Sequence, residues 1–160
     1  MSAIDHYIND IIVRGGAEAL EDGSAATEAH HLLLALATFE DTAAHRVLTA
    51  AGLGRQAIRE ALDREFEHSL NAVGVSLSSY RLPRPSRDPE RTAAMGASAR
   101  LAIERGFATS TGKKDLRPAH LLLGVLDTEI GTVPRALALA GVDRAELMAH
   151  VRGTLPHETW

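Results

Sequence analysis

The sequence contains no cysteine. That removes disulfides, thiolate nucleophiles and every cysteine-ligated zinc or iron–sulfur site, and it fits the reducing cytoplasm. Aromatic residues are scarce at 4%, so an interior has to be built from Leu, Ala, Ile and Val. That mixture suits closely packed helices better than a sandwich or barrel. No apolar run approaches the roughly 20 residues of a membrane span, and Met1-Ser2-Ala3-Ile4-Asp5-His6 lacks a basic stretch followed by an apolar segment of signal length. Reactive motifs are missing too: there is no His-Glu-x-x-His run, no Gly-x-Ser-x-Gly turn and no Gly-Lys-Ser/Thr phosphate loop. The expectation is a cytoplasmic protein that is not an enzyme and carries no cofactor or metal.

What is present is ordinary for a globular chain of 160 residues, with 45% apolar and 24% charged side chains. The net charge of −4 is unevenly spread: residues 1–80 hold 12 acidic and 5 basic groups, residues 81–160 hold 9 acidic and 12 basic groups. An acidic half beside a basic half can orient a partner or help the halves dock. The cations lack aromatic interleaving and any reading motif, so nucleic acid is not expected as a partner.

The strongest signal is a duplication. His31-Leu32-Leu33-Leu34-Ala35-Leu36 recurs as His120-Leu121-Leu122-Leu123-Gly124-Val125, an offset of 89 residues. The same offset carries Arg46 to Arg135, Leu48 to Leu137, Gly52 to Gly141, Ile58 to Leu147 and Leu62 to Val151. Register kept over so many apolar and Gly positions reads as two copies of one helical unit of roughly 60 to 70 residues. The boundaries read as repeat one over 2–70, a linker over 71–88, repeat two over 89–153 and a short loose tail over 154–160, all within one domain.

Along the chain, Ser2 with Asp5 forms a capping box, and Ile4, Ile8, Ile11 and Ile12 mark one helical face. Gly15-Gly16 inside that helix points to a close helix crossing. Thr27 or Glu28 opens the leucine-rich helix, which is apolar nearly all round and therefore central. Asp41 or Thr42 caps a third helix ending at Gly52. A fourth has Ile58, Ala61, Leu62 and Phe66 facing inward. Pro83 and Pro85 favour an extended linker. Asp88-Pro89 starts the next helix, which continues through Met95, Ala99 and Ile103 to Gly106. Aligning that segment on Ala19–Gly23 gives repeat two six extra residues before its His. Pro118 starts the second central helix, Thr132 caps another, and Asp143 with Glu146 boxes the last. Glu21-Asp22 and Glu65 read as solvated. His30 and His31, as adjacent helical residues, point about 100° apart and make a poor metal pair. His31 and His120 read as half-buried hydrogen-bonding residues near helix starts.

The two copies, His31-Leu32-Leu33-Leu34-Ala35-Leu36 through Val47-Leu48 to Gly52-Leu53, and His120-Leu121-Leu122-Leu123-Gly124 through Ala136-Leu137 to Gly141-Val142-Asp143, resemble the Clp N-terminal domain, the double-repeat module that precedes the ATPase rings of ClpA, ClpB and ClpC chaperones. The resemblance spans nearly the whole chain. It implies an all-α fold of two four-helix repeats related by a pseudo-two-fold axis, and a free-standing ClpC-like member without ATPase modules. It also implies a non-catalytic peptide- or protein-binding module of Clp chaperone–protease systems, sequestering substrate, adaptor or a cyclic-peptide antibiotic. The groove it implies is lined by Ile4, Tyr7, Ile8, Ile11 and Met95. The alternative is a regulatory or structural helical protein acting by dimerisation or by decorating a larger complex. A monomer or weak dimer is expected. In ClpC-type domains a Glu before the His of each repeat grips phosphoarginine. The matching positions here are His30 and Ala119, which cannot pair bidentately with a guanidinium, so loss of that recognition is expected.

Overall fold

The structure is a computed structural model describing residues 1–81, 83, 85 and 90–160. The expected start at Asp88-Pro89 lies outside the described residues. The fold is all-α, with repeat-like contacts between its helices. Among the described residues one two-residue strand pair interrupts it: β1 (Ala26–Thr27) lies parallel to β2 (Ala94–Met95), with Thr27 opposite Met95.

Helix α1 (Ala3–Glu21) buries Ile4, Tyr7, Ile11, Gly15, Glu18 and Ala19, one stripe at helical spacing. The Ser2 N–H donates to the Asp5 carboxylate at 2.9 Å, closing one half of the expected box. Gly23 ends the helix at φ +76°, and the Ser24 N–H reaches back to the Ala19 carbonyl at 2.8 Å. The two leucine-rich segments are the centre. Helix α2 (Ala29–Leu36) buries every residue but His30, and α6 (Pro118–Leu126) buries every residue. Helix α1 packs on α2 as α5 (Ala97–Ala108) packs on α6.

Around this centre, α3 (Ala43–Ala50) is capped by Thr42, whose Oγ accepts from the His45 N–H at 3.1 Å. It ends at Gly52, φ +73°, as α7 (Thr132–Leu139) ends at Gly141, φ +73°. Helix α4 (Arg55–Ala72) lies against α7, and α8 (Arg144–Thr154) against α3 and α6. Asp143 caps α8 by accepting from the Glu146 N–H at 3.0 Å. Thr132 is the first residue inside α7, with Gly131 before it at the cap.

Three expectations need correction. Met95 is not helical: it lies in β2, and the Gly96 N–H extends the pairing to the Thr27 carbonyl at 2.8 Å, so α5 begins only at Ala97. The repeat alignment ahead of the second His also changes. A Cβ on Gly15 would sit 3.0 Å from Leu32 and 3.6 Å from the His31 carbonyl carbon, and one on Gly106 would sit 2.9 Å from the His120 oxygen and 3.2 Å from Leu121. Gly15 and Gly106 therefore occupy matching crossings, and repeat two is shorter there by two residues, not longer by six. Third, Phe66 is 54% exposed while Glu65 is buried. The inward stripe of α4 runs Ile58, Ala61, Leu62, Glu65, and a residue one step on points about 100° away.

Candidate functional site

The repeated histidines are helix-start devices. Nδ1 of His31 accepts from the Glu28 N–H at 2.9 Å, and Nδ1 of His120 accepts from the Arg117 N–H at 2.9 Å. An accepting Nδ1 puts the proton of neutral His31 on Nε2, which stands 2.7 Å from Asp22 Oδ2 and donates to it. Burial opposes the Asp22 charge, but the bonds from His31 and Ser24 outweigh it and hold its pKa at about 2. The His30 ring lies tilted against His31, ring centres 4.0 Å apart, and burial followed by the neighbouring His31 pulls its pKa down to about 4.

Asp22, His30 and His31 do bring one potential ligand atom each within 4.8 Å of one another, closer than adjacent helical positions suggest. For His31 to bind an ion through Nε2 it would have to lose its only ring proton while Nδ1 stays committed to Glu28. Arg59, 3.6 Å from Asp22, adds a cation beside the cluster. The arrangement works as a clamp between the end of α1 and the start of α2.

The expected groove is largely core. Ile4, Tyr7 and Ile11 are 5%, 3% and 2% exposed, and only Ile8 and Met95 are partly open. Over Tyr7 part of the cover comes from the other end of the chain. The segment expected to be loose is seated: after a 3-10 turn at Leu155–His157, Glu158 is 9% exposed and Trp160 packs edge-on against Tyr7, ring centres 5.1 Å apart. The Glu158 carboxylate accepts from the backbone N–H of Ala43 at 3.1 Å and of Ala119 at 3.2 Å, tying the start of α3 to the start of α6. Burial raises its pKa against the lowering effect of those two bonds. Ala119, one of the two positions matched to the phosphoarginine glutamates, is wholly buried with its N–H taken in this way. His30, the other, stands against His31.

Two further carboxylates tie helices together. Glu18, 3% exposed, accepts from Arg55 at 2.7 and 2.9 Å and from Arg59 at 2.7 Å, joining α1 to α4. Glu65 accepts from Ser69 at 2.7 Å and Arg135 at 2.8 Å, joining α4 to α7. Asp22, Glu18 and Glu65 are thus structural ties rather than solvated charges. The signal for Glu65 was its place seven residues after Ile58 on the inward stripe.

A groove of about 560 Å³ lies where α3 faces α7's end and α8. Its floor is Val47, Ala50, Ala51, Val142 and Leu147, and Arg46, Glu146 and His150 stand on the rim. At the contact between α4 and α7, Glu65 and Arg135 form an ion pair at 2.8 Å instead.

In comparisons with known proteins, no family model and no curated protein matches the chain. Solved structures do. One, described as "Preliminary structural investigations of a malarial protein secretion system", is 17% identical, with a TM-score of 0.58 over 92% of this chain and 90% of that one. At that identity the likeness shows the fold alone. Among the described residues no helix is long and apolar enough to cross a membrane.

Proposed function

We propose that this chain is a non-catalytic helical protein that docks on a larger assembly in a regulatory or structural role, with the α3–α8 groove as its contact face. The observation that carries this reading is the groove itself: an apolar floor shared by both copies of the repeat, under a rim of mixed charge. Shallow apolar openings of this size with a few polar groups at the edge suit segments of another protein. The carboxylates and imidazoles that could serve acid–base chemistry, Glu18, Asp22, His31, Glu65 and His120, are spent on caps and ties.

A narrower reading is supported by one feature, the identical Nδ1 caps of His31 and His120 at matching places in the duplicated motif. It makes the chain a free-standing Clp N-terminal-type domain of two four-helix repeats about an approximate two-fold axis, cytoplasmic, meeting peptides or proteins of the Clp system or a cyclic-peptide ligand. Both readings meet one experiment. The intact tagged chain is used to capture partners, beside an Ala50→Glu, His150→Glu variant at two exposed positions lining the groove. Loss of a captured complex in the variant supports docking through the groove, and identical capture by both sinks it. Co-elution with Clp ring proteins on gel filtration supports the narrower reading, and separate elution removes it.

A further inference from the structure

Two helix starts converge at the end of the chain, and in each the first N–H, that of Ala43 in α3 and of Ala119 in α6, finds its side-chain acceptor far away in sequence. Arg117 precedes α6 and carries only donors, while the Thr42 hydroxyl ahead of α3 is engaged by the His45 N–H. The N–H groups of Ala43 and Ala119 both point at one spot, where the two helix dipoles add positive potential. A carboxylate fills that spot, and it belongs to Glu158. A third group is buried beside it with no bond of its own: the Tyr7 hydroxyl has no hydrogen-bond partner although Tyr7 is 3% exposed. Burial raises the Tyr7 pKa, the Thr42 side chain beside the hydroxyl works against that rise, and the charge of Glu158 adds to it.

The segment held here has a small footprint. Pro156, His157 and Thr159 are exposed and Trp160 is 42% exposed, so Glu158 is the one buried side chain and Trp160 the one ring contact. Past Trp160 a cavity of about 370 Å³ opens between Ala3–Ile4 and the stretch from Lys113 to Arg117. Lys113 pairs with Asp5 at 3.0 Å. Among the described residues Lys114 has no carboxylate partner, and Arg117 spends its guanidinium on the carbonyls of Lys114, Leu116 and Glu158. Lys114 and Arg117 thus place two cations at the cavity beside Trp160.

We propose that the starts of α3 and α6, the Tyr7 side chain and the Lys114–Arg117 cavity form a recognition site for acidic–aromatic peptides of the pattern Glu-x-Trp or Glu-x-Phe. Residues Glu158–Trp160 are its resident ligand, held in cis. The tether keeps the site closed, because a segment joined by a short link acts at an effective concentration of about millimolar. A partner peptide has to outcompete it or enter when the tail is drawn away. This gives the binding-module reading a ligand class, yet it stands on a different face from the α3–α8 groove, so peptide binding can fail here while capture through the groove survives.

The protein holds one tryptophan, so its fluorescence reports the tail in the unmodified full chain. The probe is a Trp-free peptide, Leu-Pro-His-Glu-Thr-Phe, titrated to about 5 mM, a few times the tether's effective concentration. Displacement shifts the Trp160 emission saturably to the red, and Leu-Pro-His-Gln-Thr-Phe requires about tenfold more, since an amide loses the charge-assisted bonds. The labelled Glu peptide binds the Glu158→Ala full chain about tenfold more tightly than the wild type by fluorescence polarisation. No saturable shift, an equal response to the Gln peptide, or a folded Glu158→Ala protein that binds no better than wild type overturns the proposal. Should that variant fail to fold, the wild-type titration decides alone.

Discussion

Replacing Gly124 with Ala tests the tightest crossing in the molecule. A Cβ there would overlap the Ala102 carbonyl oxygen and lie 2.5 Å from the nitrogen and 2.8 Å from the Cα of Gly106. All three are backbone atoms of α5, so no side chain can turn aside. Restoring ordinary contact at the Gly106 nitrogen needs α5 to retreat by about 1 Å, which would open voids around Ala99 and Ala102 in a close-packed interior. Overpacking of this kind costs about 3 kcal/mol, the upper part of the usual range. Ala gains about 1 kcal/mol over Gly in helix propensity, leaving a net loss of about 2 kcal/mol or more. Near 160 residues that lowers the Tm by about 4 to 8 °C. Gly153→Ala is the control, since nothing lies within 4 Å of a Cβ at that helical position, and it should stabilise by roughly 0.5 to 1 kcal/mol. Urea and thermal melts of both variants decide the matter, and a Gly124→Ala protein as stable as wild type would refute the geometry of the α5–α6 contact.

Glu158→Ala leaves the buried N–H groups of Ala43 and Ala119 without their acceptor and should cost about 2 to 4 kcal/mol. Faster amide exchange at those two residues checks it, and a loss under about 0.5 kcal/mol counts against the strap. His30 has a folded pKa of about 4 against 6.5 for the free side chain, so the unfolded chain binds the extra proton first. Stability is therefore full above about pH 6.5 and falls by about 2 to 3 kcal/mol on acidification to pH 4. The slope shrinks in His30→Gln, and an unchanged slope in urea melts at pH 7.5 and 5 contradicts the burial of this ring. Asp22 works in the lower window, its contribution present above about pH 4 and lost as the pH falls through about 2. Zinc should leave the Tm unmoved, because His31 keeps no free nitrogen; a rise of several degrees at micromolar zinc would show that the cluster opens to an ion. A phosphoarginine peptide should show no saturable binding by calorimetry, and micromolar affinity lost on altering His30 would overturn that.

Much of the fold was legible because the signals were local. The leucine runs predict central helices, and α2 and α6 are the most buried. Gly52 and Gly141 stop α3 and α7 with positive φ, as the C-cap pattern requires. The cap roles of His31 and His120 follow from their place just inside a helix start. The site was less legible. Ile4, Tyr7 and Ile11 carry a helical stripe that reads the same whether a partner or the chain's own core covers it. Nothing near Glu158 marks it as a cap, since its partners Ala43 and Ala119 lie 115 and 39 residues away. One clue was available: an Arg at the cap of α6 cannot accept, so that helix start had to find its acceptor elsewhere.

Composition and register alone settled that this chain is helical and doubled, because side-chain periodicity and turn chemistry act over a few residues and repeat wherever the sequence repeats. Tertiary structure decided how the copies differ. It pairs Gly15 with Gly106, turns Glu65 inward to meet Arg135, leaves a groove beside α3, and lays the tail across two helix starts. Those outcomes depend on which faces meet, and a one-dimensional pattern fixes the faces without fixing their partners.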